Sequence, residues 1–162
     1  MSQQIFDRDV MRRDVETVSP HDSLRDAINV MVDSRVSGLP VLDRKDRCVG
    51  IISTTDILAL EQEQAERTDD EYEEEIGSYY DPDKQQWDSI RFAGSIDQIP
   101  EMEVGEAMST DIVSVHPDAP LRQVGELMTS RGIHRILVLD DEQHLHGIIA
   151  AMDFVSLYTE SD

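Results

Sequence analysis

Displacing the chain by 97 positions lays residues 10–60 on 107–157 without a gap. Met11 falls on Met108, Asp14 on Asp111, Val18 on Val115 and Pro20 on Pro117. Leu24–Arg25 meets Leu121–Arg122, and "VLD" at 41–43 meets "VLD" at 138–140. The heptapeptide "GIISTTD" at 50–56 meets "GIIAAMD" at 147–153, with Gly, both Ile and the final Asp retained. Ungapped register over 51 positions marks an internal repeat, a unit that does not bury its apolar face alone. The chain must therefore fold as one architecture built twice.

Each copy reads β-α-β-β-α. The strands "VETVS" and "IVSVH" are predicted to end at Pro20 and Pro117, which lack the N–H a ladder needs. A helix follows, with Asp22 or Asp118 expected as its N-cap. Leu24, Ala27, Ile28, Met31 and Val32 recur at helical spacing in the first copy. Leu121, Val124 and Met128 do so in the second, where Gly125 is expected to permit close backbone approach. "GLPVLD" with "CVGIIS" and "RILVLD" with "LHGIIA" read as hairpins, and "DILALEQEQ" and "DFVSLYTE" as closing helices.

The domain organisation expected is repeat 1 at 1–60, an acidic, partly helical insertion at 61–103, and repeat 2 at 104–162. The insertion holds fifteen acids against Arg67, Lys84 and Arg91, more than half of the net charge of −21. Its Gln/Glu-rich start is expected to prolong the closing helix, with Gly77 and "DPD" at 81–83 ending it. Tyr79, Tyr80, Trp87, Ile90 and Phe92 make the remainder too aromatic for a plain disordered linker.

The charge excludes a nucleic-acid partner, which needs clustered Lys and Arg, and opposes binding to an anionic membrane. No run of about 18 apolar residues occurs, so no membrane span is predicted. The start "MSQQIFDRDV" lacks the pattern of a signal peptide, and a cytoplasmic location is expected. Cys48 alone forms neither an internal disulfide nor a cysteine zinc site and is expected to pack as a small hydrophobe.

The runs "VMRRDVETVSPHDSLRDAINVMVDSRVSGLPVLD" and "VGIISTTDIL" resemble the cystathionine β-synthase (CBS) domain, as do "AMSTDIVSVHPDAPLRQVGELMTSRGIHRILVLD" and "LHGIIAAMDFV". The resemblance covers about two-thirds of the chain. It implies an α/β fold of two β-α-β-β-α CBS motifs packed with pseudo-two-fold symmetry into one Bateman module, here resembling a stand-alone CBS-pair protein. Such pairs are regulatory, non-catalytic modules that bind AMP, ADP, ATP or sometimes S-adenosylmethionine between the motifs, commonly as homodimers of modules. They tune a partner protein, which one sequence leaves unidentified.

The family's Ser/Thr-x-x-Asp maps onto Ser53 and Asp56, with Thr54 close by. A carboxylate accepts from ribose hydroxyls and a helix start suits phosphate. The same residues equally spell a capping box. In copy two only Asp153 remains, as Ala150 neither donates nor caps. His134 and Arg135 resemble the "HR" of nucleotide-sensing motifs, in which basic residues reach phosphate; Arg135 also has surface acids to pair with. Ser37 and Gly38 stand at the matching positions of copy one, either as a slot for adenine or as tight packing. Thr17 and Ser114 are further nucleotide candidates by family position.

His144 and His146 alternate along a strand, but no carboxylate set of ligand spacing makes them a metal site. No catalytic constellation, obligatory cofactor or metal site is found, so an enzyme is not expected. The functional expectation is an adenine-nucleotide-sensing module, occupied mainly at Ser53 and Asp56. The alternative is a ligand-free interaction module docking a basic partner through its acidic insertion.

Overall fold

The computed structural model describes residues 4–65, 73–81, 86–93 and 102–160. Repeat 1 comprises α1 (Leu24–Ser34), β1 (Gly38–Leu42), β2 (Cys48–Ser53) and α2 (Thr54–Ala65). Between the repeats come β3 (Glu73–Asp81) and β4 (Gln86–Ala93), and the short α3 (Val104–Ala107) follows them. Repeat 2 comprises β5 (Ser114–Val115), α4 (Leu121–Arg131), β6 (Arg135–Leu139), β7 (Leu145–Ala150) and α5 (Ala151–Glu160). A short 3-10 turn, Asp7–Asp9, opens the chain. In repeat 2, β5 runs parallel to β6, and β6 runs antiparallel to β7. Among the described residues, no helix is long and apolar enough to cross a membrane.

The repeat extends to backbone detail. The hairpin turns carry left-handed residues at equivalent places, Asp46 (φ 60°) and Gln143 (φ 69°). The helices α1 and α4 both end on a left-handed residue, Arg35 (φ 55°) and Gly132 (φ 64°). A left-handed cap satisfies terminal carbonyls, and it suits glycine better than arginine.

The chain divides into two compact units that interleave along the sequence. One unit joins Glu16–Lys45 to Val49–Ile112, and its core gathers Leu24, Ala27, Ile28, Met31, Leu39, Val41, Ile52 and Ile57 around Val104. The other joins Met1–Val15 and Asp46–Cys48 to Val113–Asp162, with Leu121, Val124, Met128, Ile136, Val138 and Ile149 around Met11. Each repeat thus takes in the short segment that precedes the other.

The two exchanges use the same bonds. Ser109 and Ile51 exchange backbone hydrogen bonds of 2.8 and 2.9 Å, and Arg12 and Ile148 exchange two of 2.9 Å. The Val104 N–H donates to Asp22 O at 2.9 Å, as Asp7 N–H donates to Ala119 O at 3.0 Å. Gly50 and Gly147 make this approach possible. A Cβ on Gly50 would lie 2.8 Å from Ser109 O, and one on Gly147 would lie 2.6 Å from Arg12 O. The glycine of each "GII" is therefore a docking position for the exchanged segment.

Several local expectations are corrected. Ser23, not Asp22, caps α1, its Oγ accepting from Asp26 N–H at 3.1 Å. The Asp22 carboxylate is spent one turn earlier, accepting from Ser19 N–H at 2.8 Å. At α4 the N-cap is Pro120, without a side-chain bond, because Asp118 lies two residues upstream and pairs with Arg8. The first strand of repeat 1 shrinks to one parallel bridge, Val18 to Val41. Val18 N–H donates to Pro40 O and Leu42 N–H to Val18 O, but Pro40 has no N–H to carry the ladder further.

In the insertion, α2 continues through the Gln/Glu-rich start to Ala65, as expected, but Gly77 lies within a strand rather than closing a helix, and residues 82–83 of "DPD" lie outside the described residues. Here β3 and β4 pair antiparallel, with Tyr80 opposite Trp87, Glu74 opposite Phe92 and an irregularity between Glu75 and Gly77. Aromatic and β-branched residues favour a pleated pair over the helix that Glu alone favours. Finally, Gly125 faces the Phe154 ring rather than a backbone, since an added Cβ would lie 3.2 Å from Phe154 Cε1.

Gly50→Ala and Gly147→Ala should each destabilise the protein by about 1–3 kcal/mol, the cost of forcing a methyl against backbone. Urea unfolding of the two variants checks this.

Candidate functional site

At the junction of β2 and α2, the Ser53 backbone N–H donates to Asp56 Oδ2 at 2.8 Å and the Ser53 hydroxyl donates to the same oxygen at 2.9 Å. The Asp56 N–H returns a bond to Ser53 Oγ at 3.3 Å. This is the reciprocal geometry of a capping box. None of these bonds uses Asp56 Oδ1, which leaves one carboxylate oxygen for an outside donor. Thr54 is buried and its N–H donates to Ser37 O at 2.9 Å. Gly38 stands beside Ser53, whose Cβ would lie 3.6 Å from a Cβ added there. The fold therefore gathers Ser37, Gly38, Ser53, Thr54 and Asp56 at one strand–helix corner. Thr17 is half-buried, one residue before the Val18 bridge to β1.

The corner at β7 and α5 keeps half of this. Ala150 N–H donates to Asp153 Oδ2 at 2.8 Å, and Ala151 N–H donates to His134 O at 2.9 Å. Arg135 pairs with Ala150 across the strands, so His134, Arg135, Ala150 and Asp153 share this corner. His134 and Arg135 are exposed. Ser114 pairs with Leu137, further along β6.

One residue here escapes a reading of motifs alone. Arg12 Nε lies 3.8 Å from Asp153 Oδ1, while the residue at Arg12's place in the other exchange is Ser109. The signal lay in the repeat register, where Arg faces Ser. Repeat 2 thus sets a guanidinium against the carboxylate that repeat 1 bonds with a hydroxyl. Asp153 is largely buried and Arg12 exposed, so the pair is weak and open to exchange with a ligand.

A groove of about 450 Å³ lies beside this corner, lined by Gly125, Met128, Ile133, His134, Ala151 and Phe154 among others. It is mostly apolar. On α5, Met152, Val155 and Tyr158 are exposed, Tyr158 at 77%.

His144 and His146 do meet a carboxylate. His146 Nε2 lies 2.9 Å and His144 Nδ1 3.4 Å from Asp140 Oδ2. Asp140 Oδ1 accepts from the N–H groups of Glu142 at 2.9 Å and His144 at 3.0 Å. The cluster ties the hairpin turn together, and the described residues contain no group arranged to hold a metal ion. The His146 hydrogen bond, aided by the two turn amides, lowers the Asp140 carboxyl from 3.8 to about 2.

Ser53→Ala should cost about 1 kcal/mol of stability by removing a capping hydroxyl, and Ala150→Ser should add up to about that much by completing the second box. Chemical denaturation of both variants tests the pair. His146→Gln should move the Asp140 carboxyl titration upward toward 3.8. A carboxyl held low contributes stability above its unfolded value and loses it as pH falls toward 2. The test is carboxyl-detected NMR across that range.

The CBS domain family model matches residues 8–63 and 104–160. The chain is 31% identical over 147 residues to inosine-5'-monophosphate dehydrogenase of Methanocaldococcus jannaschii, covering 91% of this chain and 22% of that enzyme. An uncharacterized protein of the same organism is 25% identical over 92% of this chain, which spans 38% of its length. Among solved structures, CBSX2 in complex with AMP aligns with a TM-score of 0.68 and 23% identity, covering 96% of this chain and 97% of that one. A CBS domain pair bound to 5'-methylthioadenosine and S-adenosyl-L-methionine aligns with a TM-score of 0.65 and 18% identity, covering 99% and 100%. With both repeats matched over most of their length, the chain belongs to the CBS domain family as a tandem pair.

Proposed function

We propose that this chain is a regulatory module that binds an adenine nucleotide and passes its occupancy to a partner protein, without catalysing a reaction itself. The observation that carries the reading is the corner at Ser53 and Asp56. It offers a half-satisfied carboxylate for ribose hydroxyls beside a helix start suited to phosphate. The AMP complex of CBSX2 and the adenosyl ligands of the second neighbour support an adenosine-containing ligand. AMP, ADP and ATP are the leading candidates, with S-adenosylmethionine behind them because this chain carries a cation, Arg135, at its second corner. Repeat 1 is the principal site and repeat 2, with Asp153 already facing Arg12, the lesser one. Ligand acts as a switch only in so far as it prefers one of two conformations. The exposed α5 face, Met152, Val155 and Tyr158, suits a second copy of the module in a homodimer.

The second reading is a ligand-free module that docks a basic partner through its acidic insertion, residues 61–103, with fifteen acids against three bases. Thermal melting with millimolar AMP, ADP, ATP or S-adenosylmethionine separates the two. A ligand at a hundred times its Kd stabilises by about 2.7 kcal/mol, a rise of roughly 5–10 °C for a chain of this size. Asp56→Ala should abolish most of that rise and Asp153→Ala less of it. An unchanged Tm with every nucleotide favours the docking module.

A further inference from the structure

Asp7 is fully buried, at 0% exposure, in the segment that docks onto repeat 2. The residue at its place in the other exchange is Val104, also at 0% and part of an apolar core. The backbones match: Met11 N–H donates to Asp7 O at 2.9 Å, and Met108 N–H donates to Val104 O at 2.9 Å. A carboxyl therefore stands in a slot that its twin fills with isopropyl. One oxygen, Oδ1, accepts from Arg8 N–H at 2.6 Å. The other, Oδ2, is buried with no hydrogen-bond partner among the described residues. A buried, half-bonded carboxylate is costly, and a neutral carboxylic acid is much less so.

We propose that Asp7 makes docking of the N-terminal segment onto repeat 2 proton-dependent, a latch that is firm while the carboxyl is neutral and loosens when it ionises. The charged surroundings do not remove the conflict. Arg8, on the same turn, and His116, before α4, favour the carboxylate, while Asp118 opposes it and pairs with Arg8. Of the other packed elements, β7 carries His146, engaged with Asp140, and α4 carries Arg122, engaged with Glu126. Burial outweighs these and raises the Asp7 carboxyl above 3.8. A carboxyl raised on folding gives stability that is full below its unfolded value and is lost as pH rises through its folded value. The same segment carries Arg12 to Asp153, but the latch holds whether or not that corner takes a ligand.

Amide hydrogen exchange of the whole chain from below 3.8, the ordinary carboxyl value, up to pH 7.5, corrected for intrinsic rates, tests the latch. The reporters are the N–H groups of Asp7, Met11, Arg12 and Leu121, which bond Ala119, Asp7, Ile148 and Ile5. Asp7→Val, which installs the residue repeat 1 uses, should slow their exchange at pH 7.5, by up to about tenfold for each unit that burial raises the carboxyl. The advantage should shrink as pH falls toward 3.8 and below, while Val104 and Ser109 amides stay unchanged. Asp7→Asn, neutral but polar, should remove the pH dependence even if Val packs poorly. Faster exchange at pH 7.5 in both variants, or a wild-type-to-Asn ratio constant across pH, overturns the proposal.

Discussion

The pair of backbone hydrogen bonds between Ile51 and Ser109, and its twin between Ile148 and Arg12, is the constraint on which the rest of the structure depends. Each closes the last strand of a repeat with the segment that precedes the other repeat. Each requires a glycine beside it, Gly50 or Gly147, because any side chain would strike the incoming backbone. Once the segments are seated, Val104 and Met11 complete the two apolar cores. The corners at Asp56 and Asp153 are then fixed only three residues beyond the paired strands. Core, chain exchange and candidate site are consequences of one backbone arrangement written twice.

Within that shared frame the two corners differ by a few side chains. Ser53 bonds Asp56 through both its N–H and its hydroxyl, whereas Ala150 leaves Asp153 with one backbone bond and Arg12 opposite. A hydroxyl–carboxylate pair is compact and keeps the carboxylate's negative charge. A guanidinium–carboxylate pair with an exposed arginine is long and readily rearranged. The recurrence of "GII" followed by a variable tripeptide and Asp is thus a conserved docking glycine joined to a corner that diverged.

Much of this was legible from residues alone. The ungapped repeat implies the shared α-β-β-α order, with a full leading strand only in repeat 2, and Leu24, Ala27, Ile28 and Met31 are buried as their spacing requires. What stayed hidden depends on contacts distant in sequence. The need for Gly50 arises from Ser109, about sixty residues away, and no local pattern contains it. Asp22 looked like a cap because composition does not reveal which N–H a carboxylate reaches first. The β3–β4 pair falls in a stretch whose glutamates favour a helix while its aromatic residues favour a strand, and local composition does not decide between them. Arg12 and Asp7 were visible only as mismatches in the repeat register, against Ser109 and Val104.

The nucleotide reading rests on the β2–α2 corner receiving the ribose and phosphate of an adenine nucleotide. Backbone NMR of the protein titrated with AMP tests it most directly. Saturable shifts at the amides of Ser53, Thr54, Thr55 and Asp56, larger than those at Ala150 to Asp153, are the predicted result. Unchanged positions for all of these amides at millimolar AMP and ATP would contradict the claim.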